Sequence, residues 1–419
     1  MLPTKWPKAP IESLCIRVTS GGTPSRSNAA YYDGGTIPWI KTGELRGWYV
    51  DVISERITPA AVKGSSAKVF PAETVLLAMY GDGRTMGSVG LTRMPAATNQ
   101  ACCAMLTDPK HCVPKFLMYA LMHYKPALLK LAISGAQRNL SGKSIKEFEI
   151  GAPPVEVQRR IASILSAYDD LIENNTRRIA ILEEMARRLF DEWFVRFRFP
   201  GHEGVRMVES ELGLVPQGWA CGAFTDIADV LGGGTPKKSE ADFWEGPIPF
   251  FTPTDAPKSA YVLDTNDHIT ELGLSRCSSQ LFPENTVFIT ARGTVGKLAL
   301  ASRDMAMNQS CYALRGREGY GQIYLYLATQ SVVKELKAKT HGAVFDTIIV
   351  DTFRMLLIVK PPAELASRME EIVRPMLSLS LALSRKNQNL RTTRDLLLPK
   401  LISGELDVST LQEPQAQTL

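Results

Sequence analysis

The chain has 419 residues, 45% of them apolar and 22% charged, the balance of a folded soluble protein with room for about two to four domains. Net charge is +5, from 48 Lys and Arg against 43 Asp and Glu, which is compatible with a polyanionic partner without demanding one. Seven cysteines with no CxxC pair and five scattered histidines exclude a disulfide scaffold and give no zinc spacing, so a reducing compartment is expected. No apolar run follows Met1–Trp6, and windows such as Met376–Leu383 fall far short of the ~20 residues of a membrane span. A cytoplasmic protein without a membrane partner is predicted.

Residues 1–152 read as a mixed α/β domain. Ile37-Pro38-Trp39-Ile40 and Thr74-Val75-Leu76-Leu77-Ala78 are short β-rich runs bounded by turn residues. Gly81-Asp82-Gly83 is turn chemistry, and Lys115–Leu131 carries Phe116, Tyr119, Ala120, Met122, Leu128 and Leu131 at helical spacing. Residues 153–199 form the first long helix, introduced by Pro153-Pro154. Ile161, Tyr168, Asn175, Leu182 and Leu189 recur every seventh residue there, with Ile164, Leu171 and Met185 in the complementary position, the seam of a two-helix coiled coil. Glu183–Arg187 and Glu184–Arg188 are predicted i,i+4 ion pairs on its wet face.

Residues 200–216 read as a polar linker, and 217–360 repeat the first domain, with Thr286–Ile289 matching a strand and Ile323–Leu336 the helix. Residues 361–408 form the second long helix, whose series is Met369, Met376, Leu383, Leu390 and Leu397. Pro375 is expected to kink it or delay its start. The two helices are predicted to pair with each other as a rod of some 40 residues, ~60 Å long. Asn175, aligned with Leu383 between the copies, either fixes register in the seam or sits at a wet edge. The tail at 409–419 has no periodicity from Gln412 and is expected to be disordered.

Taken together, the chain says the same thing twice. Trp6 and Trp219, Gly21-Gly22-Thr23-Pro24 and Gly233-Gly234-Thr235-Pro236, Ile37-Pro38-Trp39 and Ile248-Pro249-Phe250, Asn99-Gln100-Ala101-Cys102 and Asn308-Gln309-Ser310-Cys311, and the two Pro-Pro pairs are offset by 213 down to 208 residues. A period this long is no solenoid, whose repeats run to roughly 20–50 residues. It is a duplicated domain-plus-helix unit.

Catalytic motifs fail. Gly142-Lys143-Ser144 lacks the leading glycine of a phosphate-binding loop, since Gln137 stands there. Gly293-Thr294-Val295-Gly296-Lys297 is followed by Leu298 where Ser or Thr is needed, so both segments are predicted turns. No dinucleotide fingerprint, base-methylating tetrapeptide or nucleophile triad is found. What remains is suited to binding. In the first domain, the polar loops carry Arg26, Lys41, Thr42, Tyr80, Arg84, Arg138, Asn139 and Lys143. In the second they carry Lys237, Lys238, Thr252, Thr254, Arg292, Thr294 and His341. Arg and Lys reach guanine edges or phosphates, and Asn reads adenine. The framework of the copies matches while these loops differ, as reading two different half-sites requires.

These residues resemble a family. The Gly-Gly-Thr-Pro loops, the Asn-Gln-x-Cys turns, Pro153–Ala162 with its helix, Ser210–Trp219, and the closing Leu397–Leu406 are together similar to the specificity subunit of type I restriction-modification systems. The resemblance covers nearly the whole chain and departs only at Val157 and Pro375. It implies an α+β fold of two target-recognition domains separated by two antiparallel coiled-coil helices, as a pseudo-two-fold internal repeat. Each domain would read half of a split target in double-stranded DNA, and the helices would set the spacer, with half-sites about one helical turn, ~34–36 Å, apart. Two methyltransferase subunits and restriction/translocase subunits would be the partners. They would use S-adenosylmethionine, ATP and Mg²⁺, with no cofactor in this chain and no catalysis by it. Trp193, Phe194 and Phe197, ending the first long helix beside Phe199, either dock a methyltransferase subunit or pack under the second domain. A duplicated protein-binding adaptor without DNA readout is the alternative, as is an enzyme fused to its own recognition module.

Overall fold

The computed structural model describes residues 4–81, 85–133, 139–339 and 347–409. The chain divides into two units, one formed by Met1–Ile172 with Asn389–Leu419 and the other by Glu173–Gln388. The division falls inside both long helices, so each unit holds one globular lobe and one stretch of each helix.

In the first unit, strands Cys15–Ser20, Cys102–Thr107, Val75–Ala78 and Val89–Leu91 lie side by side in that order, all antiparallel. A second sheet places Arg56–Ile57, Ile37–Ile40, Ala96–Thr98 and Val69–Phe70 in order, with Trp39 parallel to Ala97. The run Val75–Ala78 is buried at every position because its two faces serve two cores. Successive strand side chains point to opposite faces. Val75 and Leu77 therefore pack with the helix Pro114–Ile133, while Leu76 and Ala78 pack with Ile40, Phe70 and Cys102. The second unit repeats the device in Val287–Thr290, where Val287 and Ile289 serve one core and Phe288 another. Its two larger sheets hold five and three strands, and its equivalent helix is Gln322–Lys339. The expected 200–216 linker contains a hairpin, Met207–Ser210 paired with Gly213–Pro216. The expected tail from Gln412 and the residues Asp82 and Gly83 of the expected first turn lie outside the described residues.

The repeated glycines are forced by backbone proximity. A Cβ on Gly21 would lie 2.2 Å from the Thr98 carbonyl oxygen, and one on Gly233 would lie 2.4 Å from that of Asn308. The Gly-Gly-Thr-Pro loops are thus pressed against the Asn-Gln-x-Cys turns, and Thr23 and Thr235 each donate a hydrogen bond to Gln100 and Gln309. Gly233→Ala is expected to destabilise the second unit by about 1–3 kcal/mol through overpacking. Gly232→Ala, whose Cβ would meet nothing within 4 Å, is expected to be tolerated. Equal denaturation midpoints for the two variants would contradict this.

The long helices span Val155–Phe190 and Ala363–Ser403. Each starts directly after its Pro-Pro pair, with Pro154 and Pro362 carbonyls accepting the first helical bonds. Pro375 is exposed and does not delay the start. Within each unit the helices run antiparallel. In the first, Asp169 contacts Arg394 and Arg160 reaches the Val408 carbonyl. In the second, Asn175 donates to Asn387 at 2.9 Å, and Ser380 donates to Glu183 at 2.8 Å.

The expected seam needs correction. Its complementary positions Leu171 and Met185 are 45% and 47% exposed, while Leu165, Ile172, Ile179 and Ala186, one residue later, are buried. The other line keeps Asn175 of the expected series but otherwise carries Asp169, Glu183 and Phe190, one residue after Tyr168, Leu182 and Leu189. Asn175 is buried and paired, so it lies in the seam and not at a wet edge. The Glu183–Arg187 pair is also replaced. Glu183 turns inward to Ser380 and to the Ala260 amide at 2.9 Å, and Glu184 takes both Arg187 and Arg188.

Each lobe closes over a helix end. Gly404, at a φ of +78°, ends the second long helix, and a Cβ there would strike the Trp6 ring. Trp219 stacks on Phe199 at 5.3 Å beyond the end of the first. The two repeated tryptophans thus do one job.

Candidate nucleic-acid interface

In the first unit, three strand-end segments meet beside the Gly-Gly-Thr-Pro loop. Trp39 donates its indole N–H to the Gly22 carbonyl at 3.1 Å, and the Tyr32 hydroxyl donates to Pro24 at 2.7 Å. The rings of Tyr32 and Trp39 meet edge to face at 6.3 Å. Arg26 lies over both, its guanidinium carbon 4.7 Å from one ring centre and 4.9 Å from the other. Glu55, from the segment leading into strand Arg56–Ile57, takes Nη1 of Arg26 at 2.6 Å and Nζ of Lys41 at 2.6 Å. The Arg26 hydrogen bond, then that of Lys41, holds the Glu55 carboxyl below the ordinary carboxylate range. Glu44 ties down the adjoining loop by accepting from the Lys41 amide at 2.9 Å and the Ser54 amide at 2.8 Å.

The second unit builds the same corner from different chemistry. Asp255 replaces Glu44, accepting from the Thr252 amide at 2.8 Å and the Asn266 amide at 3.0 Å. Trp244 replaces Tyr32, donates to the Lys237 carbonyl at 3.1 Å, and meets Phe250 edge to face at 5.7 Å. Pairing of Phe250 with Asp267 and Pro249 with His268 sets Asp267 in the place of Glu55. Among the described residues no arginine lines this corner. It is instead an open cleft of about 620 Å³ lined by Lys238, Trp244, Glu245, Asn266, Asp267 and His268.

Of the residues expected to contact DNA, the structure brings Arg26 and Lys41 together, with Thr42 beginning the turn that Glu44 holds. Thr252 and Thr254 share a 2.8 Å hydrogen bond, and Thr294 reaches the Pro253 carbonyl at 3.4 Å, joining two loops of the second unit. Arg292 is exposed at the head of a tight turn with Gly293 and Gly296 at positive φ, and its backbone pairs with Thr347. Lys237 and Lys238 are exposed beside the cleft, and Tyr80 and Asn139 are exposed. Lys143 lies in a short helix, not a turn, because Ser141 caps it by accepting from the Ser144 amide at 3.0 Å. It faces Glu147 at 3.8 Å. Arg84, Arg138 and His341 lie outside the described residues.

The aromatic docking patch is a correction. Trp193 and Phe194 are 6% and 8% exposed, inside the core formed by Phe190, Trp219 and Tyr324, and Phe197 packs edge-on against Trp219 at 5.3 Å. The helix ends in a π-helical turn, Asp191–Val195, which rotates these side chains under the lobe. Sequence reading missed Glu55, Tyr32, Trp244 and Asp267. Their signal was available in the same 211- or 212-residue offset that relates Trp39 to Phe250 and Tyr32 to Trp244.

A family model described as the type I restriction modification DNA specificity domain matches residues 3–184 and again 216–389. The MjaIX type I restriction enzyme specificity subunit of Methanocaldococcus jannaschii is 29% identical over 421 residues, covering 98% of this chain and 95% of that one. The HindI specificity subunit of Haemophilus influenzae is 24% identical over 356 residues, 70% of this chain and 78% of that one. In fold, the chain is similar to the crystal structure of a type I restriction-modification S subunit from M. genitalium, with a TM-score of 0.61 at 17% identity, covering 96% of this chain and 99% of that one. No helix among the described residues is long and apolar enough to cross a membrane. Two matched segments, each running from a lobe into its long helix, leave one conclusion: the chain belongs to the type I restriction-modification specificity subunits, and its role is DNA sequence specificity, not catalysis.

Proposed function

We propose that each unit reads one half of a split target in double-stranded DNA, and that the paired long helices set the spacer between the halves. The observation that carries this reading is the corner built twice on one framework with different polar groups. Arg26, Lys41 and Glu55 line it in the first unit, and Lys238, Asp267 and His268 in the second. A matched framework supports a common docking geometry, while divergent side chains support different bases.

The chain also serves, in this proposal, as the scaffold for two methyltransferase subunits and for restriction/translocase subunits. S-adenosylmethionine, ATP and Mg²⁺ would be used by those partners. All seven cysteines are free, which supports work in the reducing cytoplasm.

Replacing residues 1–152 with the matching domain of another specificity subunit is expected to change one half of the methylated sequence and leave the other half and the spacer intact. Methylation mapping of DNA exposed to the assembled complex reads all three at once. A change in both halves would refute independent readout.

A further inference from the structure

We propose that Arg26 is the guanine-reading residue of the first half-site and that Glu55 is its positioning residue. The proposal deepens the half-site reading above and rests on it.

Arginine reads guanine by presenting two parallel N–H donors to the O6 and N7 acceptors in the major groove. That contact needs a guanidinium held in place, with one two-donor edge free. Arg26 meets both needs. Its guanidinium carbon is seated against both Tyr32 and Trp39, and those rings are fixed by hydrogen bonds to the backbone of the loop that carries Arg26. Glu55 occupies Nη1 only, at 2.6 Å. The edge formed by Nε and Nη2 has no protein partner among the described residues, and the side chain is 55% exposed. Glu55 is itself oriented from its other side by Lys41 at 2.6 Å, so its carboxylate is not free to swing away. A charged side chain that would otherwise sample many rotamers is thus pre-set in one, which is the condition for discrimination and not merely for affinity.

The second unit supplies the comparison. Its equivalent corner keeps the edge-to-face aromatic pair and the acidic position, as Trp244, Phe250 and Asp267, but carries Lys238 where Arg26 stands. Lysine offers a point charge without a planar fork. The cleft there stays open, so the two corners cannot recognise the same base by the same contact. The difference lies at the reading position and not in the framework.

The test uses the full chain assembled with its methyltransferase subunits, comparing methylated motifs and competition binding for the wild type, Arg26→Lys, Arg26→Gln and Glu55→Gln. Discrimination at one guanine–cytosine pair of the first half-site is expected to fall by about 5- to 150-fold in Arg26→Gln. Arg26→Lys should lose part of the same discrimination, through loss of the planar fork, while keeping its affinity for non-specific DNA, since the charge remains. Glu55→Gln should relax the same position, and no other, with thermal stability near wild type. An unchanged motif, or an equal loss of affinity for every sequence, would overturn the proposal by making Arg26 a phosphate contact. Relaxation at an adenine–thymine pair would overturn it as well. A wild-type complex that methylates no defined motif would instead refute the half-site reading on which the proposal stands.

Discussion

Arg394→Met is expected to cost about 3–5 kcal/mol at neutral pH, because it strands a buried carboxylate. Asp169 is 4% exposed and is held from two sides, by the Tyr119 hydroxyl at 2.6 Å and by Arg394. Burial pushes its carboxyl above the ordinary range, and Arg394 opposes that push. A carboxyl raised in the folded state contributes stability that is fully present below its unfolded value of about 3.9 and is lost as pH rises through the folded value. Removing Arg394 raises the folded value further. The deficit of the variant should therefore shrink as the solution is taken from about pH 7.5 toward about pH 5, because the raised carboxyl takes up its proton at a higher pH than an ordinary one. Urea denaturation at both values checks this, and a pH-independent deficit would show that lost packing, not charge, is responsible. Combining the change with Asp169→Asn should recover most of the stability at neutral pH, since a neutral amide needs no counter-charge.

The second large effect is on the target. Seven residues added between Ile172 and Glu173, with seven between Gln388 and Asn389, are expected to lengthen the preferred spacer. The added helix is ~10 Å long, about three base pairs at ~3.4 Å each. A four-residue insertion near Ala180 lengthens a helix by ~6 Å but carries the residues after it off the seam face. A whole heptad keeps Asp169 opposite Arg394 and Asn175 opposite Asn387, so both polar contacts survive on their own sides of the insertion. Methylation mapping should return the original two half-sites with a longer gap. Original half-sites with the original gap would mean that the helices do not measure the spacer.

Much of the architecture was legible because it is written locally and twice. Strand Ile37–Ile40, helix Pro114–Ile133 and the start of the first long helix follow from short-range signals: β-rich runs, helical spacing and a Pro-Pro pair. The reading corner was only half legible. Arg26 and Lys41 stood out as basic residues in polar loops, but Glu55 lies in a segment with no turn or charge run to mark it. Its importance comes from pairing across the sheet, where Trp39 bonds the Glu55 carbonyl at 3.0 Å and aims its side chain at Arg26. Arg84, Arg138 and His341 remain expectations from the sequence.

The sequence alone determined that a lobe and a long helix occur twice, where the first helix begins, and which family pattern the ordered motifs match. Those properties depend on residues near one another in the chain or on a copy of the same words elsewhere. Only the tertiary structure decided which stripe of each helix is buried and that Trp193 and Phe194 face a core. Helical periodicity generates several candidate stripes, and the one that turns inward is chosen by what fills it. Here the choice was made by partners such as Asn387 for Asn175, Arg394 for Asp169 and Trp219 for Phe194, and for the seam residues those partners lie more than 200 residues along the chain.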